Sequence, residues 1–192
     1  KSLDLEEVLT ELSALRRPEL PTTDVEPDTL IDHILTRYHA VHREQLPELI
    51  RMARRVEAVH RDNSLVPNGL AELLEGVRHE LLSHMEKEEQ ILFPMIRSKN
   101  YSYVGQPIAL MRHEHSGHGL MLDCVMALTN EATPPPGACN TWRALYAGIA
   151  QLNDDLINHI HLENNVLFPQ FEPASASVPL AQGCGSGGCG CA

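Results

Sequence analysis

The sequence predicts an all-α protein, an antiparallel up-down-up-down four-helix bundle, and three observations predict it. Apolar residues recur at helical spacing through four stretches of about 25 to 33 residues. Short connections separate these stretches, so consecutive helices must turn back on one another. Aromatic residues make up only 4% of a chain that is 43% hydrophobic. Its core must therefore come from Leu, Ile, Val, Met and Ala, which suits packed helices better than a β-sandwich.

The elements follow in order. Residues 2–15 carry a short amphipathic helical pattern, and Pro18, Pro21 and Pro27 make 17–29 read as a linker, so 1–27 stands apart from the main domain. The bundle is expected over 28–172. Its first helix runs from about Asp28 to His60, with Ile31, Leu35, Tyr38, Val41 and His42 on one face and Pro47 as a kink. A polar turn, RDNSLVPNG, leads to a second helix from near Pro67 to about Ser98. The third covers roughly Gly105 to Asn130, and the run Thr133-Pro134-Pro135-Pro136-Gly137 separates it from a fourth that ends near Phe171. Residues 173–192 are low in complexity, rich in Gly and Cys, and read as a flexible tail.

Composition removes several classes of function. A formal charge of −11 argues against nucleic acid or an anionic membrane surface, both of which call for clustered Lys and Arg. No apolar run approaches the roughly 18 to 20 residues of a membrane span. No secretory signal is evident, although an opening at Lys1 leaves open what precedes it. Five cysteines, three of them (Cys184, Cys189, Cys191) crowded near the C-terminus, do not form a disulfide framework; they point to a reducing, cytoplasmic compartment. The compositional excess is eleven histidines.

Those histidines are organised. His84-x-x-x-Glu88-x-x-x-Leu92-Phe93-Pro94 is repeated as His159-x-x-x-Glu163-x-x-x-Leu167-Phe168-Pro169. A spacing of four puts His and Glu on successive turns of one helix face, where both can reach one metal. His39 and His42 precede the first copy, and His115 and His118 precede the second at the same spacing; His39 to His84 is 45 residues and His115 to His159 is 44. Two halves with one layout suggest two metals near a pseudo-two-fold axis. The candidate ligands are His39, His84, Glu88, His115, His159 and Glu163. Four imidazoles and two carboxylates shared by two ions leave positions for an oxo or hydroxo bridge and a small molecule. Iron fits this donor set first and manganese second; structural zinc would close its shell with about four ligands, often thiolates.

The other candidates read as bland. His42 and His118 sit one turn after a candidate ligand and are expected to support or replace it. His33, His60, His79, His113 and His161 are expected to be solvated or packed, with His60 near Glu57 as a weak candidate for lining a route to the site. Glu44, Glu86, Glu89 and Glu114 are expected on charged helix faces, Cys139 in a structural position, and the tail cysteines in a flexible segment rather than a thiolate site.

At these residues the chain resembles the hemerythrin-like HHE superfamily, and specifically the di-iron proteins for repair of iron centres (the RIC family). The resemblance rests on IDHILTRYHAVHREQLPELI, HELLSHMEKEEQILFPMI, TPPPGACNTW and DDLINHIHLENNVLFP, which span most of residues 30–171. The same region is similar to nitric-oxide-responsive di-iron proteins of denitrifying bacteria. The resemblance implies a left-turning hemerythrin-like bundle around an oxo-bridged di-iron centre, with His39, His84, His115 and His159 as ligands and Glu88 and Glu163 bridging. It implies a stress-response role: binding nitric oxide or another diatomic and repairing damaged iron–sulfur proteins by supplying iron. It also identifies 1–27 as the remnant of an N-terminal domain that in relatives carries a Cys-Cys pair, absent here. Two alternatives stay open, reduction of nitric oxide to nitrous oxide and a reversible oxygen carrier or sensor. Binding and reduction would use the same six ligands, while oxygen-carrying hemerythrins use five histidines, so His42 or His118 would have to join. Protonation of the ligands is expected to weaken metal binding in mild acid.

Overall fold

The computed structural model describes residues 25–172; the expected helix at 2–15 and the tail carrying Cys184, Cys189 and Cys191 lie outside the described residues. Four long helices make up the fold, and there is no strand among the described residues. Helix α1 (27–59) is built from Pro27–Ile34, a wider turn at Leu35–His39, and Ala40–Val59. Helix α2 (70–97) joins Leu70–Lys87, Glu88–Leu92 and Phe93–Arg97. After a short 3₁₀ turn at Tyr101–Tyr103 comes helix α3, Gly105–Leu128. Helix α4 (140–170) joins Asn140–Leu162, Glu163–Leu167 and Phe168–Gln170.

Local chemistry sets the ends. Pro27 opens α1 with its φ already helical, and Asp28 complements the positive end of the helix dipole. The helix continues through Pro47. Helix α2 starts three residues later than expected because Pro67–Gly69 form a turn: Leu70 N–H donates to the Pro67 carbonyl, and Gly69 takes φ +87°, a left-handed conformation that favours glycine. The Glu57 carboxylate then accepts from Ala71 N–H at 3.0 Å, satisfying an otherwise unpaired amide of the first turn. Helix α3 stops at Leu128, short of Asn130, because Asn130, Glu131 and Ala132 all adopt positive φ.

The alternation of directions can be read from the two apolar clusters. One gathers the end of α1 (Val56), the start of α2 (Leu70, Leu74), the end of α3 (Leu122, Val125) and the start of α4 (Trp142, Leu145). The other gathers the start of α1 (Leu30, Ile31), the end of α2 (Phe93, Ile96), the start of α3 (Val104, Ile108) and the end of α4 (Leu167, Phe168). Each helix therefore runs opposite to the one before it. Between the two clusters lies a layer of buried polar side chains: His39, His42, His84, Glu88, His115, His118, His159 and Glu163.

Candidate metal centre

Three of the four helices change their winding where they meet this layer. In α1, α2 and α4 a five-residue π-turn occupies Leu35–His39, Glu88–Leu92 and Glu163–Leu167, each closed by an amide bonding five residues back (Ala40 to Leu35, Phe93 to Glu88, Phe168 to Glu163). Such widened turns recur at functional sites. In both copies of Leu-Phe-Pro the proline follows directly. It lacks the amide that would bond the carbonyl four residues back, so the regular ladder is already interrupted there.

The inner face of α1 also differs from the expected one. Leu35 and Val41 are only half-buried, while Ile34 and His39 turn fully inward beside Ile31, Tyr38 and His42. Ile34 follows Ile31 at ordinary helical spacing, whereas the extra residue in the π-turn rotates what comes after it, so Tyr38 and His39 both face inward and Val41 does not.

All six candidate residues come together, every one buried. They fall into two groups that could hold a metal ion, with one potential ligand atom per residue and these atoms within 4.8 Å of one another: His39, Glu88, His159 and Glu163, and His84, Glu88, His115 and Glu163. The glutamates belong to both. Glu88 Oε2 lies 3.3 Å from His39 Nε2 and its Oε1 lies 3.6 Å from His84 Nε2. Glu163 Oε1 lies 3.1 Å from His159 Nε2 and its Oε2 lies 3.0 Å from His115 Nε2. Each carboxylate thus turns one oxygen to each group.

The far ring nitrogens show how the imidazoles are held. His39 Nδ1 donates to Glu89 Oε1 at 2.7 Å, and Arg43 pairs with the same oxygen at 2.8 Å. His84 Nδ1 donates to Glu114 Oε2 at 2.9 Å, and Lys87 pairs with Glu114. His115 Nδ1 bonds Asn164 Oδ1 at 3.0 Å. Glu89 and Glu114 are therefore not plain surface charges as expected. They are half-buried and fix the tautomer that leaves Nε2 free inside the bundle. Glu44 and Glu86 are exposed, as expected. The phenyl rings of Leu-Phe-Pro complete the walls: Phe93 stacks on His39 and Phe168 on His115.

The electrostatics of this layer call for positive charge. Burial, then the charge of Glu163, pushes the Glu88 carboxyl well above its ordinary range. Burial acts in the same sense on Glu163, but the imidazoles of His159 and His115 outweigh it and hold that carboxyl well below. Burial pushes His39 and His84 down to about 4, with neighbouring imidazoles adding to it. These histidines are therefore neutral near pH 7, and their contacts with the carboxylates are not ion pairs. His84 Nε2 and His115 Nε2 face each other at 3.0 Å while both Nδ1 atoms are engaged outward, so two buried imidazole nitrogens crowd one point. His39 Nε2 and both Glu88 oxygens are buried with no hydrogen-bond partner among the described residues. A cation bound by nitrogen and oxygen donors would relieve each of these costs, and the donor set fits iron or manganese.

The remaining histidines divide. His42 and His118 are buried in the same layer but stand outside both groups. His33, His79 and His113 are exposed, and His161 is half-buried beside Asn165. His60 lines no route to the site. It sits at the far end of α1, with Nε2 3.1 Å from Cys139 Sγ and its ring against Trp142, some 20 residues or about 30 Å of helix from His39.

The match to known proteins covers this region. The family profile described as the hemerythrin HHE cation binding domain matches residues 30–171. The chain is 51% identical over 172 residues to the iron-sulfur cluster repair protein YtfE of Escherichia coli O157:H7, covering 88% of this chain and 78% of that protein. It is 50% identical over 177 residues to the protein of the same name from Cronobacter sakazakii, with the same shares covered. Against that of Dickeya chrysanthemi it is 50% identical over 166 residues, covering 86% of this chain and 75% of the relative.

Proposed function

The chain belongs to the hemerythrin HHE cation-binding family, and from that premise we propose that it is a cytoplasmic di-iron protein of the nitrosative and oxidative stress response that supports repair of damaged iron–sulfur clusters by supplying iron. The observation that carries this reading is the pair of four-residue groups sharing Glu88 and Glu163, in a chain about half identical to proteins named for iron–sulfur cluster repair. His39 and His159 would hold one ion, His84 and His115 the other, and the two glutamates would bridge. Iron held there supplies open positions for nitric oxide or another diatomic and one-electron redox chemistry.

The residues themselves do the rest. Glu88 and Glu163 offset the charge of the cations without thiolates, which leaves the ions exchangeable. Glu89 and Glu114 keep Nε2 of His39 and His84 unprotonated and aimed inward, and Asn164 holds the His115 ring with its Nε2 aimed inward. The apolar clusters above and below the layer exclude water. His42 and His118 stand outside both groups, which favours the repair reading over an oxygen carrier that needs a fifth histidine.

The test is anaerobic: mix the iron-loaded chain with an enzyme whose cluster nitric oxide has destroyed, add sulfide, and follow enzyme activity together with iron left on the chain. Recovery beyond an equal amount of free iron, matched by iron leaving the chain, is expected; recovery no better than free iron overturns the reading. Nitric oxide titration with gas analysis separates the reductase alternative, since only turnover produces nitrous oxide.

A further inference from the structure

The two halves of the site support their histidines by the same plan, and at one position the plan changes chemistry. The residue after each shared glutamate reaches the lone histidine of a neighbouring helix: Glu89 reaches His39 and Asn164 reaches His115. The residue before each lone histidine should then reach the histidine of a His-x-x-x-Glu pair. In the second half it does, because Glu114 accepts from His84 Nδ1. Its counterpart in the first half is Tyr38, and the histidine it meets is His159.

No hydrogen bond forms there. His159 Nδ1 is buried without a partner among the described residues. Instead the Tyr38 ring lies parallel to the imidazole, with centroids 5.1 Å apart and planes 3° apart. Tyr38 is itself anchored. The Arg37 guanidinium lies 5.1 Å from its ring centroid, and Arg37 pairs with buried Asp155, one turn before His159 on α4. The π-turn at Leu35–His39 lets two adjacent residues, Tyr38 and His39, both face the bundle interior.

We infer that Tyr38 is the positioning residue of His159, orienting its imidazole by ring stacking where the other three histidines are oriented by hydrogen bonds. Stacking fixes the plane of a ring without fixing its tautomer, whereas a carboxylate does both and raises the basicity of the ligand. Tyr38 therefore sets geometry at the His39/His159 group, and Glu114 sets geometry and charge at the His84/His115 group. This inference rests on the reading of the six residues as cation ligands.

The test uses the full chain, freed of metal and titrated with cobalt(II), with ions per chain counted by native mass spectrometry and the ligand-field spectrum recorded. Tyr38→Phe keeps the ring and should bind two ions with the spectrum of the parent chain. Tyr38→Leu and Tyr38→Met remove the ring and should bind one of the two ions about tenfold more weakly or worse, with altered bands. Two ringless variants are used so that poor folding of one, judged by urea denaturation without metal, does not decide the result. Ringless variants that match the parent in both affinity and spectrum overturn the inference. So does a Tyr38→Phe chain that fails as badly as they do, because the ring face would then not be what acts. A parent chain that binds no pair of ions overturns the ligand reading instead, and that outcome is distinct from the others.

Discussion

The apolar layer near the helix connectors and the histidine–glutamate layer are cut from the same four helices, yet they obey opposite rules. The first is regular α-helix filled with Leu46, Leu74, Leu81, Trp142 and Ile149, all buried, and at Gly148 a Cβ would come within 2.6 Å of Leu49 Cδ2, so α1 and α4 meet closely. The second contains three π-turns and buries His39, His42, His118, His159, Glu88 and Glu163 with at least one ring nitrogen or carboxylate oxygen unpartnered among the described residues. Burial stabilises the first; in the second it is a cost that a bound cation would offset. The apolar layer and the candidate metal layer are thus separated along one bundle axis.

The sharpest way to break that contrast is to damage the apolar layer alone. Trp142→Ala should lower stability by about 3–5 kcal/mol, seen in urea denaturation, while the folded fraction still binds cations in the parent ratio. A loss of cation binding among folded molecules would show that the layers are not separable. Next in size is the cation itself. Iron(II) at about a hundred times its dissociation constant should stabilise the parent chain by about 2.7 kcal/mol for each ion bound, and the same addition to Glu88→Ala should do far less. Equal gains in both chains would place the binding elsewhere.

Acid should act on the polar layer and spare the other. Burial holds His39 and His84 at about 4 and His42 and His118 at about 3, all below the ordinary histidine value of about 6.5. The unfolded chain therefore binds more protons, so stability of the metal-free protein is fully present above pH of about 6.5 and is lost as pH falls toward 4 and 3. Glu88, pushed upward, works in the opposite sense: its contribution is present below the ordinary carboxylate range and fades as pH rises through its raised value. With four histidines against one glutamate, urea midpoints of chelated protein should drop between pH 7 and 4.5, and a flat profile would contradict this. The smallest effect concerns His42, neither of whose ring nitrogens has a partner among the described residues. His42→Leu should stabilise the metal-free chain by about 1 kcal/mol without changing the number of cations bound.

Much of this was legible in the sequence. The repeated His-x-x-x-Glu spacing and the histidines some 45 residues ahead picked out all six residues that the bundle brings together. Other features were not legible, for physical reasons. Helical periodicity tells which face a residue occupies but not what the opposite helix presents, so Glu89 and Glu114 read as surface charge and Asn164 and Tyr38 drew no attention as supports. The π-turn at Leu35–His39 brings the adjacent Tyr38 and His39 both inward and leaves Val41 half-buried, against the regular period. A signal for the other two π-turns was present in the prolines of Leu-Phe-Pro, which interrupt a helix ladder wherever they fall inside one. The ends of α2 and α3 moved for local reasons, a glycine turn at 69 and a run of left-handed residues at 130–132.

The most direct test of the central claim, that six buried side chains hold two ions across two shared glutamates, is an anaerobic iron(II) titration of metal-free protein read by native mass spectrometry. The account predicts two ions per parent chain and loss of the pair in both Glu88→Ala and Glu163→Ala, since each carboxylate serves both groups. A parent chain that takes up one ion or none, or glutamate variants that still hold two, would contradict it.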